Sequence, residues 1–115
     1  MKKLGEILHS LSQWIKGRAY LLERPDSMCL GYALCLRLGG TWGDGWSRDS
    51  YKGWTDRRMN RIVTRLFPER ITGNPFQSPL VVFNNHPETT WEDVQKVIQL
   101  YDQEVEDGVP IEGYC

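Results

Sequence analysis

The sequence predicts a small, mainly α-helical single domain: about four helices, a glycine- and tryptophan-rich loop, and at most a minor extended or β element. Three observations carry that expectation. Apolar residues recur at helical spacing in four separate stretches. Residues 39–53 interleave Gly39, Gly40, Gly43, Gly45 and Gly53 with aromatic residues. Only Leu80-Val81-Val82-Phe83 reads as β-prone, with no evident second strand to pair with. A chain of 115 residues, 40% hydrophobic and 25% charged, fits one compact domain. Residues 1–103 are expected to form it, and residues 104–115 an acidic, loosely held tail. No apolar run approaches the roughly 20 residues that span a bilayer, so no membrane partner is expected.

The first helix is expected over residues 3–16. Leu4, Ile7, Leu8, Leu11, Trp14 and Ile15 form one apolar stripe, and Gly17 is a stop signal. This amphipathic start lacks the apolar core of a signal peptide, so export is not expected. Residues 18–26 connect. A second helix follows over residues 27–38, capped by Asp26 or Ser27. Its interior from Met28 to Leu36 is apolar nearly all round, which marks a central, buried helix. Gly39-Gly40 ends it. The third helix, residues 54–67, takes Thr55 as its cap and Asp56 in its first turn. Met59, Ile62, Val63 and Leu66 make its apolar stripe. Residues 69–79 are irregular. The run 80–83 is read as an extended, buried connector, and Asn84-Asn85-His86-Pro87 as a structural turn. Thr89 with Glu92, or Thr90 with Asp93, then caps a fourth helix. Trp91, Val94, Val97, Ile98 and Tyr101 line its inner face.

Net charge is −1, but the charges are segregated. In residues 51–70, Lys52, Arg57, Arg58, Arg61, Arg65 and Arg70 outnumber Asp56 and Glu69. In residues 88–115, Lys96 stands against eight acidic residues. Such segments are expected to be solvated faces that attract each other, and otherwise to dock a charged partner. Three cysteines, Cys29, Cys35 and Cys115, without a CxxC spacing, favour reduced thiols in a cytoplasmic protein over a disulfide framework or zinc site.

No catalytic set is expected. Cys29 near a helix start, with His86 and an orienting Asn84 or Asn85, has the ingredients of a thiol enzyme. The apolar surroundings of Cys29 favour a buried structural thiol instead. His9 and His86 stand outside any metal-ligand spacing. Gly39 to Gly45 lacks both the dinucleotide fingerprint and the P-loop lysine. Asp44 and Asp49 do not match a calcium loop. Neither cofactor nor metal is therefore expected. Arg57, Arg58, Arg61 and Arg65 could track phosphates, with Tyr51 and Trp54 stacking on bases. A helix-turn-helix partner is missing, however, so nucleic acid is the lesser alternative. The stronger candidate surface is the loop carrying Trp42, Trp46, Tyr51 and Trp54, because loops carry recognition and tryptophan is favoured at interface anchors. Trp46, between Gly45 and Ser47, is the best single anchor.

The stretch from Leu80 through Asn84-Asn85-His86-Pro87-Glu88-Thr89-Thr90-Trp91-Glu92-Asp93-Val94 resembles the C-terminal signature of an uncharacterised family of small actinobacterial and phage-borne proteins. In that family an aliphatic run leads into an aromatic-Asn-Asp turn, a Pro, a Thr cap and a helix. Cys29-Leu30-Gly31-Tyr32-Ala33-Leu34 is similar to its Cys-Leu-x-Gly-Ala-Leu helix, with the glycine displaced. Trp14 to Gly17 resembles the end of its first helix. Asn85 stands where the family has Asp, and His86 is not a family feature. The resemblance implies a shared compact fold and a phage or mobile-element setting. It implies no activity. The expected function is that of an accessory protein binding a host macromolecule, a host protein first, with inhibition of a host defence or regulatory protein as the implied role.

Overall fold

The computed structural model describes residues 3–16, 20–21, 24–38, 56–71 and 77–110. Among them run α1 (Leu4–Ile7), β1 (Tyr20–Leu21), β2 (Arg24–Met28), α2 (Leu30–Arg37), α3 (Arg57–Leu66), a 3-10 turn (Pro68–Arg70), α4 (Pro79–Asn85) and α5 (Trp91–Asp107). The fold is mainly α, as the apolar periodicity implies. α5 is the longest helix, and α1 and α3 pack against it. α4 packs on α2 and α3, while α1 also meets α2. One core runs between them, with Leu4, Tyr32, Leu34, Met59, Val63, Phe83, Val94 and Val97 buried.

The first helix is much shorter than residues 3–16, because side chains from elsewhere take over its backbone groups. Asp102 on α5 accepts from the Leu4 and Gly5 N–H groups at 2.8 and 2.9 Å, which caps the helix start. Gly5 permits this approach, since a Cβ there would lie 3.2 Å from Asp102 Oδ2. At the other end Gln13 replaces the next turn. Its Oε1 accepts from the N–H groups of His9 and Ser10, and its Nε2 donates to the Ile7 carbonyl. The chain then extends: Ile15 N–H donates to the Met28 carbonyl at 3.1 Å, and Met28 N–H to the Gln13 carbonyl at 2.7 Å.

Met28 belongs to β2, which pairs antiparallel with β1. The second helix therefore starts at Leu30 and not near 27, and its N-cap is Cys29 instead of Asp26 or Ser27. The Cys29 sulfur accepts from the Tyr32 N–H. As expected of a central helix, residues 30–35 of α2 are all buried.

The extended connector expected over 80–83 is instead helix α4. β-branched Val81 and Val82 suggested a strand, but Ser78 caps a helix whose first residue is Pro79, where a missing N–H costs nothing. Asn60 on α3 accepts from the Leu80 N–H at 2.7 Å, which satisfies a second free donor of the first turn. Leu80, Phe83 and Asn84 are then buried at helical spacing, and Phe83 stacks on Phe67 at 5.1 Å. Asn84 and Asn85 close this helix, and the chain turns at His86 and beyond. For α5 the cap is Thr90 with Asp93, in a reciprocal box. Nor does an acidic tail begin at Glu104: α5 continues to Asp107, and Glu104 is buried. Gly108, with a left-handed φ of 68°, ends the helix. Thr55 and residues 111–115 lie outside the described residues.

Candidate functional site

Asp56 caps α3 through the Met59 N–H at 2.8 Å, and so fixes the rotation of the arginine helix. Met59, Ile62 and Val63 enter the core, which places Arg58 and Arg61 against α5. Both guanidinium groups donate to Glu104 Oε1, Arg58 at 3.0 Å. Arg58 also donates to the Val109 carbonyl at 2.7 Å, and Arg61 to that of Pro110 at 3.1 Å. The two charged blocks thus meet inside the fold. Their side chains are 9–15% exposed, far from a solvated surface pair. Arg57 and Arg65 lie on the exposed side of α3. The arginines at 57, 58, 61 and 65 are accordingly not one surface stripe: two face Glu104 and two face outward.

One turn before Glu104, Tyr101 is buried on the same face of α5. Its hydroxyl accepts from Arg37 Nη1 at 3.3 Å and donates to Asp56 Oδ2 at 3.3 Å. Arg37 also lies over the Tyr101 ring, 5.2 Å from its centroid. Burial, reinforced by the Asp56 carboxylate, raises the hydroxyl pKa and keeps it a donor. Arg37 ends α2 and Asp56 caps α3, so these two helix ends meet at one phenol. Trp42, Trp46, Tyr51 and Trp54 fall between those two residues and lie outside the described residues.

Cys29 and His86 have separate partners. Cys29 is fully buried, and its sulfur is engaged by the Tyr32 N–H at 3.3 Å. Burial pushes its thiol up to about 12, outweighing the N–H groups of the helix start that pull the other way. His86 Nδ1 accepts from the Glu88 N–H, and the His86 carbonyl accepts from Lys16. Asn84 is a crossing point of the fold. Its Oδ1 accepts from the Trp14 indole N–H at 2.8 Å and from the Leu30 N–H at 3.0 Å. Its Nδ2 donates to the Ile15 carbonyl at 3.2 Å and to Asn85 Oδ1 at 3.0 Å. Every hydrogen-bonding position of that amide is used.

A shallow groove of about 140 Å³ lies between α1 and α5. Leu8 and Ile98 form an apolar lining with Gly5, His9, Trp91, Gln95 and Gln99 around it. Among the described residues, no group of three or more His, Cys, Asp or Glu side chains is placed to hold a metal ion. No described helix is long and apolar enough to cross a membrane.

Compared with family models, curated proteins and solved structures, the chain matches none.

Sequence reasoning missed Glu104 and Asn84 as tertiary contacts. For Glu104 a signal was present: it continues the spacing of Val94, Val97, Ile98 and Tyr101, so helical geometry places it on the inner face. For Asn84 no signal was available, because its partners at 14, 15 and 30 are remote in sequence.

Proposed function

We propose that this chain is a small binding module that docks a host macromolecule, a protein in first place, through the aromatic segment carrying Trp42, Trp46, Tyr51 and Trp54. The observation that supports the reading is the meeting of Arg37 and Asp56 on Tyr101. It ties Arg37 and Asp56, which lie before and after that segment in the sequence, to α5, and recognition residues are characteristically carried on segments between rigid elements. The polar groups that could have signalled chemistry have structural employment: Cys29 caps α2, Asn84 cross-links three segments, and Arg58 with Arg61 neutralises Glu104. Nucleic acid ranks second as a partner, because only Arg57 and Arg65 of the four arginines face outward on α3.

The setting we propose is a phage or mobile element, with action in the host cytoplasm against a defence or regulatory protein. It is supported by the resemblance at residues 80–94. The test is site-specific photo-crosslinking inside living host cells. A photoreactive residue at 46 should yield one dominant protein adduct, whereas the same group at Gln103, on the exposed side of α5, should yield none above background. Equal labelling from both positions, or an adduct to nucleic acid, would count against the reading.

A further inference from the structure

We propose that the chain forms a weak two-fold dimer in which Leu11 of each copy seats in the groove between α1 and α5 of the other. Two observations motivate it, an exposed apolar knob and an apolar-floored groove beside it. Among the described residues Leu11 is the most exposed large apolar side chain, at 62% against 39% for Leu38 and 37% for Val105. A single exposed leucine is ordinary on a protein surface, but this one sits on a fixed turn. Gln13 Oε1 accepts from the His9 and Ser10 N–H groups, and its Nε2 donates to the Ile7 carbonyl. The Trp14 N–H donates to the Leu11 carbonyl at 3.2 Å. The knob is therefore held in place before association, which lowers the entropy lost when it is covered.

The groove begins two residues earlier, at His9, and its floor is the buried pair Leu8 and Ile98. An apolar cavity of about 150 Å³ takes a benzene molecule. At about 140 Å³ this groove is of a size for the isobutyl group of one leucine. No carboxylate, lysine or arginine lines it. The turn that would enter it, Ser10-Leu11-Ser12-Gln13, is likewise uncharged. Neither side of the contact has an ionised lysine, arginine or carboxylate to desolvate. The exposed charges next to the lining residues are Glu6, Glu92 and Lys96, of both signs, so the contact need not set like charges together. Knob and groove are neighbours on one chain. A two-fold axis between them lets each copy give and receive one side chain, which closes the assembly at two. Two leucine-sized contacts bury far less than the roughly 1,200 Å² of a stable interface, so the dimer is weak.

The test is sedimentation of the full-length chain, from about 1 μM, where it should be a monomer, to about 1 mM, where a dimer should appear. Over the same dilution, amide signals of Ser10 to Ser12 and of Gln95, Ile98 and Gln99 should shift together, while those of Arg57 and Arg65 on α3 stay still. Leu11→Ser should weaken association about tenfold or more and leave the thermal midpoint unchanged, because the side chain is exposed. Gln99→Glu, which sets a carboxylate at the groove, should also weaken it. A monomer at about 1 mM would overturn the proposal. So would association indifferent to both variants, shifts centred on α3, or growth beyond a dimer.

Discussion

Two corners of this molecule tie remote segments together, and they do so by opposite chemistry. At the first, Asn84 joins the Trp14–Ile15 stretch, the start of α2 and the end of α4 with a neutral amide whose every lone pair and N–H is used. At the second, Glu104 receives two guanidinium groups from α3 and lies one turn from the Tyr101 hydroxyl. Asn84 itself is fully buried, whereas Glu104 and its two arginines keep a small solvent-exposed fraction. A neutral, saturated amide contributes stability that is indifferent to pH and salt. A charged cluster near the surface costs more to desolvate and is partly screened, but it can hold long side chains at the edge of the core. The difference teaches that two of the conspicuous arginines are used to close the fold, whereas the asparagine that reads as a turn residue bonds three residues remote in sequence.

The largest effect should come from the neutral corner. Asn84→Leu leaves the Trp14 indole N–H, the Leu30 N–H and the Ile15 carbonyl without their partner, each costing about 1–3 kcal/mol where burial persists. A net loss of about 3–5 kcal/mol in urea unfolding is expected, constant between pH 5 and 8 and between low and high salt. A loss below about 1 kcal/mol would show that the segments can repack without the amide.

The charged corner should respond less, and differently. Glu104→Gln leaves Arg58 and Arg61 facing each other across a neutral amide. Breaking a fully buried pair costs about 3–5 kcal/mol, and the partial exposure here reduces that to about 2–3 kcal/mol. Unlike the Asn84 variant, its deficit should shrink as salt rises, because added ions screen the two unpaired cations. A deficit independent of salt would erase the contrast between the corners.

Much of the fold was legible in residue spacing. Met59, Ile62 and Val63 on α3, and Val94, Val97, Ile98 and Tyr101 on α5, are buried as their periods demand. Where the reading failed, remote side chains had replaced local hydrogen bonds. Gln13 ends α1 after Ile7 although Leu11, Trp14 and Ile15 continue the stripe, and Leu11 is left 62% exposed. Asn60 and the Ser78-Pro79 start convert a β-prone run into α4. Of the candidate site, the pairing of the basic and acidic blocks was readable in charge, but not its focus on Glu104. Tyr101 was readable as core, but not as the meeting place of Arg37 and Asp56, because that depends on where three helices cross.

A smaller effect should appear at the start of α5. Burial disfavours the Asp93 carboxylate, but hydrogen bonds from Arg70 and from the Thr90 backbone and hydroxyl outweigh it and hold its pKa below the usual value. Its contribution is therefore complete above the unfolded carboxyl pKa and disappears as pH falls through the lower folded value. Asp93→Asn should cost about 1 kcal/mol at pH 7, the usual worth of a cap, and flatten the acid limb of the stability curve. An unchanged acid limb would assign that limb to other carboxylates.

The smallest change in stability is expected for Cys29→Ser, whose hydroxyl can still accept the Tyr32 N–H. The native thiol should resist alkylation at neutral pH, because burial pushes it up to about 12 and disfavours the thiolate. As pH rises past the unfolded thiol value, ionisation in the unfolded chain should weaken the fold, and the serine variant should lose that alkaline dependence. Rapid alkylation of folded Cys29 would return it to consideration as a nucleophile.

In the proposed reading, Glu104, Arg58, Arg61 and Asn84 are structural, and recognition falls to the segment carrying Trp46. The most direct measurement compares the parent and Trp46→Ala for affinity to the cross-linked host protein, with thermal unfolding of each recorded alongside. The account predicts a loss of about 2 kcal/mol or more in binding, the mark of an aromatic anchor, with an unchanged transition midpoint. Unaltered affinity, or a variant that fails to fold, would contradict it and move the search for the docking face to the acidic outer side of α5.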